Sequence, residues 1–250
     1  MRKLASLLFI FSIAATHAQI KDPLITKDKQ AQEKWVNTIL NAMTTEEKIG
    51  QLFIVQAYST NDTVNEKKVA ALIQKYHAGN LIFMQGTPKR QAELTNKYQA
   101  MSKYPLLVSI DAEWGLDMRL EHTFRYPWNM TLGAVRDNTL IEKFGEQLGK
   151  HANRLGIHIN FAPVVDINTN PKNPIIGNRS FGEDKKNVTE KAIALTRGMQ
   201  RFGVLANAKH FPGHGDTAAD SHHTLPVVDF DMQRLDSLEL YPYYKLFDEN

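Results

Sequence analysis

The sequence predicts an α/β protein built from repeated βα units, and three observations carry that prediction. Short continuous apolar runs, such as Leu106 to Ile110 and Val204 to Ala206, alternate with longer stretches of helical periodicity. The runs are almost wholly apolar, as in strands buried on both faces of a parallel sheet covered by helices. Their ends carry ionisable residues, among them Asp111, Asp166 and Lys209, at the carboxyl edge where α/β sheets bind ligands. Eight such units close a (β/α)8 barrel of the TIM type, and roughly five are legible before the chain stops on a helix. The expectation is therefore the first part of a longer barrel; a complete open, doubly wound sheet is the alternative.

In chain order, Lys29 to Met43 has a helical pattern, and Thr44 with Glu47 three residues on reads as a capped helix start. A first strand is expected at Leu52 to Ala57, then a helix from Val64 to Tyr76 stopped by Gly79, and a second strand from Asn80 to Met84. A helix from Thr87 to Met101 leads to the third strand, Leu106 to Asp111. The stretch Glu113 to Ala134 is irregular. A helix from Asn138 to Leu155 is stopped by Gly156, and the fourth strand runs from His158 to Asp166. Asn168 to Asp184 is a polar loop rich in Asn, Pro and Gly. The helix Lys185 to Phe202, the fifth strand Val204 to Lys209 and a helix from Met232 to Phe247 complete the reading.

Composition names no function. Of the 250 residues 42% are hydrophobic and 23% charged, ordinary for a globular protein. Without Arg2 and Lys3 the formal charge falls from +3 to +1, which leaves no electrostatic footprint for nucleic acid. The absence of Cys excludes disulfides, a thiolate nucleophile and Cys-based zinc sites. Arg2 and Lys3, the apolar run Leu4 to Ala15, and small residues before a cut after Ala18 form a secretory signal pattern. Residues 1–18 are thus expected to be a signal peptide, too short in its apolar run for a membrane anchor. The mature chain, 19–250, is expected in the periplasm or outside the cell.

The chemistry is concentrated in Lys209-His210-Phe211-Pro212-Gly213-His214-Gly215-Asp216 and the following segment through Asp220, His222 and His223. Gly213 and Gly215 permit conformations closed to other residues, and Pro212 fixes φ, so this loop can turn side chains inward. Asp220 and His222 are two residues apart. A carboxylate at that spacing can orient an imidazole and favour its charged form, and histidine titrates near neutrality without a large shift.

The pattern Lys209-His210-Phe211-Pro212-Gly213-His214-Gly215, followed by Asp220-Ser221-His222, resembles the signature of glycoside hydrolase family 3, in its β-N-acetylhexosaminidase branch. Asp111-Ala112-Glu113-Trp114-Gly115 with Arg119 resembles the family's substrate-binding stretch, with Trp114 in place of a Gly. Phe161 to Asp166 and Asn178-Arg179-Ser180-Phe181-Gly182 resemble its next strand and sugar-binding loop. The resemblance implies the N-terminal part of a catalytic barrel and retaining hydrolysis of terminal β-linked N-acetylhexosamine, from peptidoglycan fragments or chitin-like oligosaccharides. It further implies that Asp111, Arg119, Arg179, Lys209 and His210 bind the sugar and that Asp220 and His222 are the acid/base pair, with no cofactor or metal. The nucleophilic carboxylate is expected beyond Asn250.

Blander readings stand beside these. Asp166 can be a loop cap, His214 a structural hydrogen-bonding residue, His223 a bystander, and the three Trp core or wall, although Trp114 sits where an aromatic platform suits a sugar. Competing functions are a β-glucosidase or phosphorolytic enzyme of the same family, a metal-dependent hydrolase using His210, His214, His222, His223, Asp216 and Asp220, and a non-catalytic carbohydrate-binding module. Lys209 beside those ligands disfavours a cation.

Overall fold

The computed structural model describes residue 24 and residues 26–218, 227–228 and 230–249. Among them, β1 (Ile54–Ser59), β2 (Asn80–Gly86), β3 (Leu107–Ile110), β4 (Ile159–Asn160) and β5 (Leu205–Ala206) form one sheet in the order β1-β2-β3-β4-β5. Every neighbouring pair is parallel, with Leu81 opposite Val55 and Val108, and Ile110 opposite Asn160. A doubly wound sheet reverses its strand order at a switch point, whereas a barrel adds each strand beside the last. The observed order is that of the barrel, so the doubly wound alternative is set aside.

The helices follow the caps that the sequence offers. Asp28, Thr44, Asp62, Thr87, Asp137, Asp184 and Asp231 each accept a backbone N–H in the first turn of the helix they precede. These open α1 (Lys29–Ala42), α2 (Thr45–Gly50), α3 (Thr63–Tyr76), α4 (Pro88–Met101), α6 (Asn138–Arg154), α7 (Lys185–Gln200) and α8 (Met232–Ser237), while α5 (Asn129–Gly133) and α9 (Tyr241–Asp248) have no side-chain cap bond. Thr44 and Glu47 form the expected reciprocal box at 2.9 and 3.2 Å. The Lys103 ammonium and the Thr44 N–H pull the Glu47 carboxyl down to about 2. Gly156 ends α6 at φ 69°, as expected, but α3 ends on His77 at φ 56°. Gly79 serves another purpose: a Cβ there would lie 2.3 Å from Gln51 Oε1.

Three expectations need correction. The fourth and fifth strands are much shorter than His158 to Asp166 and Val204 to Lys209. After Asn160 the Phe161 N–H still reaches Ile110 O, but Ala162 N–H turns back to Asn160 O and Pro163 has no N–H to give. Regular pairing lapses there, although Asn207 N–H still reaches Ala162 O, and Val164 and Lys209 form an isolated bridge further on. The helix expected over Met232 to Phe247 is α8 and α9, because Pro242 cannot continue a helix but suits a first turn. The irregular stretch from Glu113 holds a 3₁₀ turn, Leu116–Met118, and α5.

The core has one body under β1 to β3, where Leu81, Phe83, Val108, Ile73, Leu94 and Tyr98 are buried, another between α6 and α7, and a third that joins Val165 and Ala192 to Leu240, Tyr243 and Leu246. Glycines set the second: a Cβ on Gly198 would lie 2.2 Å from Glu142 O, and one on Gly145 2.4 Å from Leu195 O. In an isolated helix Gly198→Ala would gain about 1 kcal/mol of propensity. Here the clash with backbone wins, and a net loss of about 2 kcal/mol is expected from overpacking. A denaturant midpoint unchanged or raised in Gly198→Ala would refute that. At the start of β1 and just before it, Leu52, Phe53 and Ile54 are 81%, 59% and 49% exposed, on an edge with which no strand among the described residues pairs.

Candidate active site

At the carboxyl ends of β3, β4 and β5 lies a cavity of about 390 Å³. Its shape starts with Asn160 on β4, whose amide accepts Ala112 N–H at 2.9 Å and donates to Ala112 O at 3.2 Å. This double clamp holds the end of β3 and sets Asp111 and Glu113 on either side of it. The 3₁₀ turn brings Arg119 back, anchored by Gly86 N–H to Arg119 O at 3.2 Å, so that its Nη2 meets Asp111 Oδ2 at 2.7 Å.

Lys209, just beyond β5, is held by its backbone between Pro163 O and Val165 N–H. Its Nζ lies 2.8 Å from both Asp111 Oδ1 and Glu113 Oε1. Arg179 comes from the polar loop after β4 and grips Glu113 bidentately, Nε to Oε2 at 3.0 Å and Nη2 to Oε1 at 2.8 Å. The same Nη2 faces His210 Nε2 at 3.2 Å. Guanidinium has only donors, so Nε2 is the unprotonated nitrogen, which leaves the proton on Nδ1. Nδ1 lies 2.6 Å from Asp166 Oδ2.

Asp166 is therefore no simple cap of its own loop. Its side chain is fully buried and also accepts the backbone N–H of His214 at 2.7 Å and of His210 at 3.2 Å. Asn173 ties the two loops together, accepting Ile175 and Ile176 N–H and donating to His214 O at 2.7 Å. Gly215 passes where a Cβ would lie 1.9 Å from Ile167 O, so the loop fits against its neighbour only without a side chain. His214 is buried and bonds to Thr217 Oγ1 through Nδ1.

The pairs balance in charge: Lys209, Arg119 and Arg179 against Asp111, Glu113 and Asp166. Burial pushes the Asp111 and Glu113 carboxyls up, but the adjacent cations outweigh it and hold both below the ordinary carboxylate range. Burial likewise pushes Arg179 down, and Glu113 more than reverses it.

Five of the residues expected from sequence thus converge: Asp111, Arg119, Arg179, Lys209 and His210 all line the cavity, with His214 in the wall. Asp220, His222 and His223 lie outside the described residues. Glu113, within the substrate-binding stretch, and Asp166, at a strand end, were expected near the site but given no role of their own; they are the buried anions on which Arg179, Lys209 and His210 are hung. Among the described residues no group of three or more His, Asp or Glu is placed to hold a metal ion.

A family model described as the glycosyl hydrolase family 3 N terminal domain matches residues 44–250. A beta-hexosaminidase A of Pseudoalteromonas piscicida is 37% identical over 192 residues, 72% of this chain and 32% of that protein. The structure of a glycoside hydrolase family 3 β-N-acetylglucosaminidase from Paenibacillus sp. str. FPU-7 is 38% identical with a TM-score of 0.76, over 84% of this chain and 41% of that one. A β-glucoside phosphorylase bound to 2FGlc is 27% identical with a TM-score of 0.83, over 90% of this chain and 40% of that one. The chain spans between about a third and two fifths of the length of these relatives.

Proposed function

Because the chain belongs to glycoside hydrolase family 3, whose N-terminal domain is a TIM-barrel-like α/β fold, we propose that it supplies the sugar-binding part of a retaining exo-β-N-acetylglucosaminidase. The observation that carries this reading is the charge-balanced cluster at the strand ends. Asp111, Arg119, Lys209, Arg179 and His210 present fixed donors and acceptors to a small cavity, the equipment needed to hold the hydroxyls of one terminal sugar.

His222 is assigned as the acid/base, oriented by Asp220. It gives its proton to the glycosidic oxygen as the anomeric carbon is attacked by a carboxylate. It then takes a proton from the water that releases the glycosyl-enzyme. Asp111 and Glu113 are poor candidates for the attacking carboxylate. Their oxygens are engaged by Lys209, Arg119 and Arg179, and the sugar has to lie above them. Residues 1–18 are assigned to export, with the enzyme acting in the periplasm or outside the cell on peptidoglycan or chitin-like fragments.

The full-length protein is expected to release nitrophenol from 4-nitrophenyl β-N-acetylglucosaminide and to do so at least about 100-fold more slowly as His222→Ala. Turnover unaffected by that substitution would defeat the assignment. A second reading, phosphorolysis or β-glucosidase action, is favoured by the likeness to the β-glucoside phosphorylase. An imidazole acid/base repels phosphate less than a carboxylate would. A sugar 1-phosphate formed in phosphate buffer, or preference for the β-glucoside, would select it.

A further inference from the structure

We propose that Trp114 is a specificity-determining residue whose indole is the platform for the C–H face of the terminal hexopyranose, held in place by the neighbouring Trp128 and Arg125. The inference rests on the glycosidase reading above and deepens it. The cavity has two chemically distinct kinds of lining: the ionic cluster, and the apolar side chains of Trp114, Met118 and Ile175. A pyranose has two matching kinds of surface, with hydroxyls around its rim and C–H bonds on its faces. An ionic floor satisfies the rim and leaves a face against water, and an aromatic ring removes that face from water at little entropic cost.

Trp114 is fixed for this task. Its ring centroid is 4.3 Å from that of Trp128 at 55°, and the Arg125 guanidinium lies 4.9 Å from the Trp128 ring and 5.6 Å from the Trp114 ring. Arg125 is itself steered by Asp117 at 3.2 Å. Tyr126 N–H donates to Trp114 O at 3.0 Å, closing the loop on itself. That closure needs Gly115, which sits at φ 102° where a Cβ would lie 2.8 Å from Tyr126 Cδ2. A pair of indoles serving the core alone would be shut away, but Trp114 is half-buried and lines the cavity. The supports lock the ring before ligand arrives, so little ordering remains to oppose binding.

The test uses the full-length protein, with N-acetylglucosamine as probe, binding followed by calorimetry and by tryptophan fluorescence, and turnover of the nitrophenyl substrate. Trp114→Ala is expected to weaken N-acetylglucosamine binding about tenfold, and Trp114→Phe to recover most of it. The fluorescence change on binding should vanish in Trp114→Phe and persist in Trp35→Phe, since Trp35 lies exposed on α1. Arg125→Ala leaves the indole in place but unbraced, and should raise KM about threefold with a smaller change in kcat. Unchanged calorimetric affinity in Trp114→Ala, with the optical signal intact in Trp114→Phe, overturns the platform while leaving the glycosidase reading standing. A wild type that neither binds nor turns over these sugars overturns both.

Discussion

In the full-length protein, if the glycosidase reading holds, Glu113→Ala is expected to abolish turnover of the nitrophenyl substrate and to lower the melting temperature by roughly 10 °C. The side chain is fully buried and neutralises two cations at once, Arg179 through a two-pronged contact and Lys209 at 2.8 Å. Removing it leaves three cations against two anions in a largely buried cluster. Deleting one partner of such a buried pair costs about 3 to 5 kcal/mol, against about 5 to 15 kcal/mol for a whole fold. At roughly 2 to 4 °C per kcal/mol for a domain of this size, the shift is large and easily read. The double variant Glu113→Gln with Arg179→Met removes charge from both sides and should regain much of the stability but none of the activity. A melt of Glu113→Ala superimposable on wild type would refute the account.

The same cluster sets an acid limit. Asp111 and Glu113 are held below their ordinary range in the folded state. Their contribution is therefore complete above the unfolded carboxylate values of about 4, and is lost as pH falls through the depressed folded ones. Glu113→Gln should flatten the acid limb of stability against pH, which a series of melts between about pH 2 and 6 would register.

Asp166→Asn is the second large effect expected, and it separates geometry from charge. Asparagine has nearly the same shape and can still accept His214 N–H, but it places an N–H₂ group opposite His210 Nδ1, which lies 2.6 Å from the native carboxylate. To accept from that group the imidazole must move its proton to Nε2, which then points at the donor Nη2 of Arg179, 3.2 Å away. Neither tautomer satisfies both neighbours. Turnover should fall by at least about 100-fold, as when an imidazole is held in the wrong tautomer. Nitrogen chemical shifts of His210 should report the exchange of tautomers or a displaced ring. Retention of the native tautomer with full activity would show that Asp166 is only a loop anchor.

These two residues also mark the limit of what the chain discloses. Strand starts, the Thr44–Glu47 helix start, the Gly156 stop and the convergence of Asp111, Arg119, Arg179, Lys209 and His210 were legible because each depends on local pattern or on a motif of fixed spacing. The role of Glu113 and Asp166 as buried counter-ions was not, although both stand in or beside the motifs, for their partners are 66 and 44 residues away. Asp166 looked like any carboxylate that closes a strand. The short β4 and β5 were misread for a related reason. Apolar character persists from His158 to Asp166, while pairing depends on where the chain has N–H groups to give, and Pro163 has none. Asp220 and His222, the pair the motif points to most directly, lie outside the described residues.

The clamp between Lys209 and Asp111 spans 98 residues of chain. Closing so long a loop costs conformational entropy that only the finished contact returns, and non-local contacts of this kind form late. During synthesis β1, β2 and β3 can pair while the rest is still being made, but Asp111 and Glu113 wait for Arg179 and then for Lys209 before their charges are met. The cavity is thus assembled after much of its scaffold, and a nascent chain halted before residue 209 should hold the strands without the site.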